Sequence, residues 1–214
     1  MELLLHPPDD ASRHRPDARG RLSTIGHAAA FRALARVARR AGIRFMVIGG
    51  TFRDIAIRAA STRDIDVVLV DDATLPADLM RQAGFRRVPG SRHAWRHESS
   101  GRVVDVQVAA VASSTESAGP FSVAFQHARK ARIEGVDATV PRVEDYVILK
   151  LLAAVADRRR TARDLADVQY AFEAFPRDAG LSLAALRARL RDLYGIRGER
   201  LRDLVAVLRR VPRP

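Results

Sequence analysis

Three carboxylates and a pair of glycines are the residues whose types and spacing suit chemistry. Asp64 and Asp66 flank Ile65 at the head of an apolar run. Two positions apart, they share one face of a strand. Asp105 stands in the middle of Val103-Val104-Asp105-Val106-Gln107. A carboxylate in so apolar a strand needs a cation or hydrogen-bond donors, because burying it unpaired is costly. On a neighbouring strand it would add a third acid to the same face. Three converging carboxylates repel one another unless a divalent cation holds them, and hard oxygen ligands suit Mg²⁺ or Mn²⁺. Two such ions can clamp the attacking and leaving oxygens of an in-line phosphoryl transfer. Gly49-Gly50 follows the apolar run Phe45-Met46-Val47-Ile48 and opens a helical stretch. Backbone N–H groups at such a turn can cradle a triphosphate, and the missing side chains let phosphates approach.

Each piece alone is weak. The chain has 18 Asp, so one Asp-x-Asp is expected by chance. Gly-Gly after a strand is most often a turn. Asp105 could simply pair with an arginine. The combination, in this order, is what sets them apart.

The elements that must position these residues follow from hydrophobic periodicity. Residues 1–22 carry Pro7, Pro8 and Pro16 among scattered charges, which reads as a flexible tail. Ala30, Phe31, Leu34, Val37 and Ala41 recur at helical spacing, and Gly42 closes that helix. Strands are expected over Phe45–Ile48, Ile65–Val70 and Arg102–Ala109. An antiparallel pair is expected at Phe85–Val88 and His93–Glu98. Two short strands should meet around Gly135-Val136. Short helices are expected at Thr51–Ala60, at Ala77–Gly84 and after Pro120. Beyond Pro141 the pattern turns helical: Glu144–Ala156, Ala162–Phe172, Ser182–Leu193 and Glu199–Val211. The expected organisation is a tail (1–22), an α/β catalytic core with a mixed, mostly antiparallel sheet (23–141) and a C-terminal helical bundle (142–214).

Composition narrows the class. The 214 residues are 47% hydrophobic and 29% charged, values of a globular chain. The absence of cysteine excludes disulfides, thiolate zinc sites and a cysteine nucleophile. No apolar run approaches the roughly 18 residues of a membrane span. Met1-Glu2-Leu3-Leu4-Leu5 lacks a basic n-region and a cleavage site, so a cytoplasmic protein is expected. The net charge is +12, and only Lys130 and Lys150 among 37 cations are lysines. Arginine forks match phosphate and stack on bases, which suits a nucleic-acid partner; GC-rich coding is the plain alternative. His93, Trp95 and His97 alternate on one strand face, either as a platform for a base or as an ordinary sheet face. Arg158-Arg159-Arg160 joins two helices and could meet an RNA backbone or water alone.

Val47-Ile48-Gly49-Gly50-Thr51-Phe52-Arg53-Asp54, followed by Thr62-Arg63-Asp64-Ile65-Asp66-Val67-Val68-Leu69, resembles the nucleotidyltransferase superfamily. Two later stretches resemble motifs of AbiEii-type (MenT-like) toxin nucleotidyltransferases. They are Glu144–Ala153 and Arg160-Thr161-Ala162-Arg163-Asp164-Leu165-Ala166-Asp167-Val168. The resemblance spans roughly residues 31–172. It implies metal-dependent transfer of a nucleoside monophosphate from an NTP to an acceptor hydroxyl, with release of pyrophosphate. It implies an RNA acceptor, foremost a tRNA 3′ end, and a cognate antitoxin protein.

The resemblance also implies residue roles. Gly49, Gly50 and Thr51 would hold the β- and γ-phosphates. Asp64 and Asp66 would bind both metals. Asp105 would complete the metal site and help deprotonate the acceptor. Lys150 would contact the triphosphate, and Asp164 would lie near the nucleotide. Arg53 and Arg63 could steer phosphate or be plain structural arginines. Gly-Gly-x-x-Arg-Asp is also similar to a run in tRNA CCA-adding enzymes and bacterial poly(A) polymerases, although the helical part is short for those. A small-molecule (antibiotic-type) nucleotidyltransferase and a non-catalytic relative retaining the fold are the remaining alternatives.

Overall fold

The computed structural model describes residues 18–58, 62, 64–70, 73–109, 119–176 and 178–212, with the backbone alone for 18–26 and 105–109. Helix α1 spans Ala18–Arg40. It begins ahead of residue 22, where the sequence reading ended the tail, because Leu22 and Ile25 already sit at helical spacing. Its inner face, including Phe31, Leu34 and Val37, is buried. Strand β1 is Phe45–Val47, helix α2 Gly49–Ala56 and strand β2 Asp64–Val70. Ile48 adopts an extended conformation (φ −130°, ψ −165°), so the two glycines form the first turn of α2 rather than a separate loop.

Helix α3 (Ala77–Gln82) leads into β3 (Phe85–Arg87), β4 (Ala94–His97) and β5 (Val103–Ala109). Helix α4 (Pro120–Gln126) starts on proline, whose fixed φ suits a first helical turn. Strands β6 (Arg129–Ile133) and β7 (Val136–Val140) form a hairpin across Glu134-Gly135. Helices α5 (Val143–Ala156), α6 (Thr161–Ala174), α7 (Leu183–Asp192) and α8 (Gly198–Arg210) follow.

The seven strands make one mixed sheet in the order β3-β4-β5-β2-β1-β7-β6. The pairs β1–β7 and β2–β5 are parallel and the others antiparallel. The fold is the mixed α/β sheet with trailing helices that the hydrophobic pattern implies.

Alternation along β2 divides the sheet's two faces. Ile65, Val67 and Leu69 join the main core with Phe31, Leu34 and Val37 of α1. Val68 joins a smaller cluster with Met46, Ile48 and Ala124, bordered by Phe121, Phe125 and Leu149. Asp64 and Asp66 share the face of Val68, beyond the end of that small cluster, where no apolar layer covers them.

The alternating His93, Trp95 and His97 do not form a platform for a base. Trp95 and His97 are buried, and the Arg87 guanidinium lies 4.2 Å from the Trp95 ring centre. His97 instead packs on Phe85, ring centres 4.8 Å apart. This face of β4 belongs to the main core, so the alternation reports burial. Among the described residues, no helix is long and apolar enough to cross a membrane.

Candidate active site

At the C-terminal end of β1, the first turn of α2 lies against the start of β2. Gly49 has φ +59°, a left-handed conformation that L side chains rarely adopt. A Cβ built on it would lie 2.1 Å from Asp66 Oδ2. Both reasons require glycine there. The Gly50 N–H donates to Asp66 Oδ2 at 2.9 Å. A Cβ on Gly50 would meet Thr62 Oγ1 at 2.5 Å. The helix N-terminus and the second acid of Asp-x-Asp are therefore in direct contact. The helix dipole adds to this, since a carboxylate is stabilised at that end.

Thr51 is 1% exposed, and its hydroxyl donates to the Asp64 carbonyl at 3.2 Å. The side chain thus anchors α2 to β2 and faces inward rather than into the cavity. Asp64 is exposed and Asp66 half-buried. On β5, Asp105 stands in register with Asp66, and residues paired in register share a face. Among the described side chains no trio of acids or histidines converges on one point, Asp105 being described by backbone alone. Arg63 lies outside the described residues.

A cavity of about 600 Å³ opens over these residues. Gly49, Gly50, Asp64 and Asp66 form one wall. Tyr146, Leu149 and Lys150 of α5 form another, and Ile48 and Phe121 add an apolar side. Arg160 and Arg163 stand at its rim, both exposed.

A largely buried ion network joins α2, α5 and α6, and its Arg53, Lys150 and Asp167 also line the cavity. Lys150 Nζ lies 2.9 Å from Asp164 Oδ1 and 2.6 Å from Asp167 Oδ2. Arg53 Nη1 donates to Asp167 Oδ1 at 3.1 Å, while its Nε and Nη2 donate to Asp54 Oδ1. Asp54 Oδ2 in turn accepts the Thr62 N–H at 2.6 Å, tying Thr62 to α2. Arg160 reaches Asp164 Oδ2 at 3.3 Å, one helical turn away. Burial would lower the Arg53 pKa, but its bonds to Asp167 and Asp54 outweigh that and raise it. Burial, followed by the Asp167 charge, pushes the Tyr146 hydroxyl far above its ordinary pKa, so it stays protonated.

The structure therefore brings together Gly49, Gly50, Asp64, Asp66, Arg53 and Lys150 around one cavity. Asp164 lies behind Lys150 and does not line the cavity; it holds the lysine from the far side. The sequence reading missed Asp167, the residue that ties Arg53 to Lys150. Its signal was present: Asp164 and Asp167 are three apart on one helix, so both face α5.

Two exposed or half-buried carboxylates side by side on β2, with Asp105 in register, offer hard oxygen donors that fit a divalent cation.

No protein-family model and no curated protein matches the chain. Solved structures do. An antigenic nucleotidyltransferase-like protein from Paracoccidioides brasiliensis superposes with TM-score 0.52 at 18% identity, over 90% of this chain and 94% of that one. The antibiotic-resistance factor ANT(2'')-Ia in solution gives TM-score 0.53 at 14% identity, over 80% and 95%. A crystal structure of ANT(2'')-Ia in complex with adenylyl-2''-tobramycin gives 0.50 at 12% identity, over 86% and 97%. At these identities the likeness is one of fold: the chain has a nucleotidyltransferase-like architecture.

Proposed function

We propose that the protein transfers a nucleoside monophosphate from an NTP to an acceptor hydroxyl. The observation that carries this reading is the contact of the glycine turn with Asp66, facing Lys150 across one cavity. In the reaction, an acceptor oxygen bonds to the α-phosphorus, the bond from that phosphorus to the bridging oxygen breaks, and pyrophosphate leaves. The acceptor's proton passes to Asp105. The amide of Gly49 and the ammonium of Lys150 bind the β- and γ-phosphates, where charge grows as the bond breaks, while the Gly50 N–H, given to Asp66, holds that carboxylate at the site. Asp64, Asp66 and Asp105 would hold Mg²⁺ or Mn²⁺, which supplies Lewis-acid stabilisation of the phosphoryl oxygens. Asp164 and Asp167 orient Lys150, and Arg53 fixes Asp167. Phe121 and Ile48 offer an apolar side for a base. The catalytic core of this reading is residues 23–141, with the helical part, 142–214, closing the cavity.

RNA, foremost a tRNA 3′ end, is the acceptor we favour, in the manner of an AbiEii-type toxin countered by an antitoxin. Net charge +12 and the rim arginines Arg160 and Arg163 suit a polyanionic acceptor. The likeness to ANT(2'')-Ia, solved with adenylyl-2''-tobramycin, supports a second reading, a small antibiotic-like acceptor. An acceptor rich in amines would meet cationic arginines at this rim, which weighs against it.

The test incubates the protein with Mg²⁺, each α-labelled NTP in turn and total RNA, beside Asp66→Ala. Label in tRNA-sized RNA that vanishes in the variant is the expected result. Label appearing only on a small hydroxyl acceptor would support the second reading. No transfer and no NTP binding would refute both.

A further inference from the structure

A second cavity, of about 640 Å³, opens at the other end of β1, between α1 and the β6–β7 hairpin. Its lining is strongly basic. Arg32, Arg36 and Arg39 recur at i, i+4 and i+7 on the exposed crest of α1. Arg44 and Lys130 stand opposite, and Asp137 is the one acid among the described lining residues. Two aromatic rings, Phe45 and Phe125, form its floor, and the Arg44 guanidinium lies 5.4 Å from the Phe125 ring centre. Cations beside half-buried aromatic rings suit a single-stranded polynucleotide, with charge for the backbone and ring edges for the bases.

The position of this groove relative to the first cavity matters most. Phe125 lines the groove and Phe121, one turn earlier on α4, lines the candidate active site. Phe45 lines the groove and Ile48 lines the active site, three residues apart on the β1 segment. Four helical residues rise about 6 Å, and three strand residues span about 10 Å. The two cavities are thus neighbours divided by a single turn of α4 and by the short length of β1.

We infer that the basic groove between α1 and the β6–β7 hairpin is the docking track for the sugar–phosphate backbone of an RNA. Its 3′ end passes over α4 into the active-site cavity. The inference rests on the RNA-acceptor reading above, and it adds where the RNA body binds. The surface selects for phosphodiester charge and unstacked bases and offers no base-edge code, so the groove binds RNA with little sequence preference.

The test measures binding separately from transfer. A 5′-fluorescein single-stranded RNA of about 12 nucleotides, a length within the site sizes of such proteins, is titrated by anisotropy at several salt concentrations. The groove variant is Arg32→Gln/Arg36→Gln/Arg39→Gln, on exposed positions of α1. A control, Arg200→Gln/Arg202→Gln/Arg209→Gln, removes equal charge from α8. The groove variant should lose tenfold or more in RNA affinity. Its plot of log K against log salt should flatten by about 2, at roughly 0.7 for each single-strand phosphate contact. The α8 control should change little, and circular dichroism should show both variants folded. Calorimetric NTP binding should match the parent in both. Equal losses in the two variants would overturn the inference, since net charge alone would then explain binding. So would unchanged affinity in the groove variant, or competition by polyglutamate as effective as unlabelled RNA of equal charge. Groove-dependent RNA binding without label transfer to RNA would refute the acceptor reading while upholding the groove.

Discussion

Replacing Gly49 by alanine tests the centre of the reasoning. The backbone there has φ +59°, and a Cβ in the left-handed region costs about 1–2 kcal/mol. The new carbon would stand 2.1 Å from Asp66 Oδ2, so the carboxylate must move by more than an ångström to reach ordinary contact. That displacement removes the 2.9 Å bond from the Gly50 N–H, and a hydrogen bond to a charged group contributes about 1.5–3 kcal/mol. The combined loss is about 2.5–5 kcal/mol, and for a chain of this size that lowers Tm by on the order of 10 °C. Gly42 supplies the control. It has φ +67°, with nothing within 4 Å of a built Cβ. Gly42→Ala should therefore carry only the conformational cost, about 1–2 kcal/mol, and leave NTP binding unchanged. Gly49→Ala should lose both stability and NTP binding. In the double variant Gly49→Ala/Asp66→Ala the carboxylate is gone and only the Cβ of residue 66, 2.8 Å from the built carbon, still crowds it, so part of the stability should return. Differential scanning fluorimetry and NTP titration read all four proteins. If Gly49→Ala melts within a degree or two of Gly42→Ala and still binds NTP, the glycine–carboxylate contact is not what shapes this site.

Lys150→Met should destabilise the fold by about 3–5 kcal/mol, because it leaves Asp164 and Asp167 buried without their shared cation; adding Asp164→Asn should recover part of that in urea denaturation. Asp167→Asn should weaken NTP binding while the overall fold persists, since Arg53 and Lys150 lose the carboxylate that orients both, and Asp167→Glu should restore less than wild-type affinity. Asp145, fully buried on α5, accepts from Arg189 Nε at 2.7 Å, from its Nη2 at 2.6 Å and from the Tyr194 hydroxyl at 2.8 Å. Asp145→Ala should cost about 3–5 kcal/mol in denaturation and leave NTP affinity intact, because this cluster ties α5 to α7 away from the cavity. Burial lowers the pKa of His27 and His97, so the unfolded chain takes up protons first as pH falls below about 6.5. Stability should hold above that pH and fall below it, and Tm between pH 7.5 and 5 should decline less steeply in His97→Gln.

Local order in the chain explains what the sequence disclosed. Strand, glycine pair and Asp-x-Asp lie within 22 residues, and their face follows from the two-residue period of β2 alone. The parallel register of Asp66 with Asp105 needed the sheet order; the valine-rich run around Asp105 disclosed only that this acid needs a cation or donors. Side-chain direction at element ends was not legible. Thr51 follows the glycines and could face phosphate or protein; the packing of α2 on β2 brings its hydroxyl to the Asp64 carbonyl. Asp164 was read as a residue near the nucleotide, but the packing of α6 on α5 puts it behind Lys150. Asp167 escaped notice because its partners, Arg53 and Lys150, come from two elements far apart in sequence. Trp95 and His97 showed alternation, which marks a buried face and an exposed one equally well until the sheet's layers are known.

The composition changes at Pro141, yet the hydrophobic interior does not. Residues of α1, β1, β2 and β7 belong to the same continuous core as residues of α5, α6, α7 and α8. The pairing of Arg53 with Asp167 crosses that boundary too. Neither portion can lose its structure without exposing apolar surface of the other and stranding a buried charge. The described fold should therefore melt as one cooperative transition, with equal calorimetric and van't Hoff enthalpies. A cut between β7 and α5 should yield fragments that fold only when mixed.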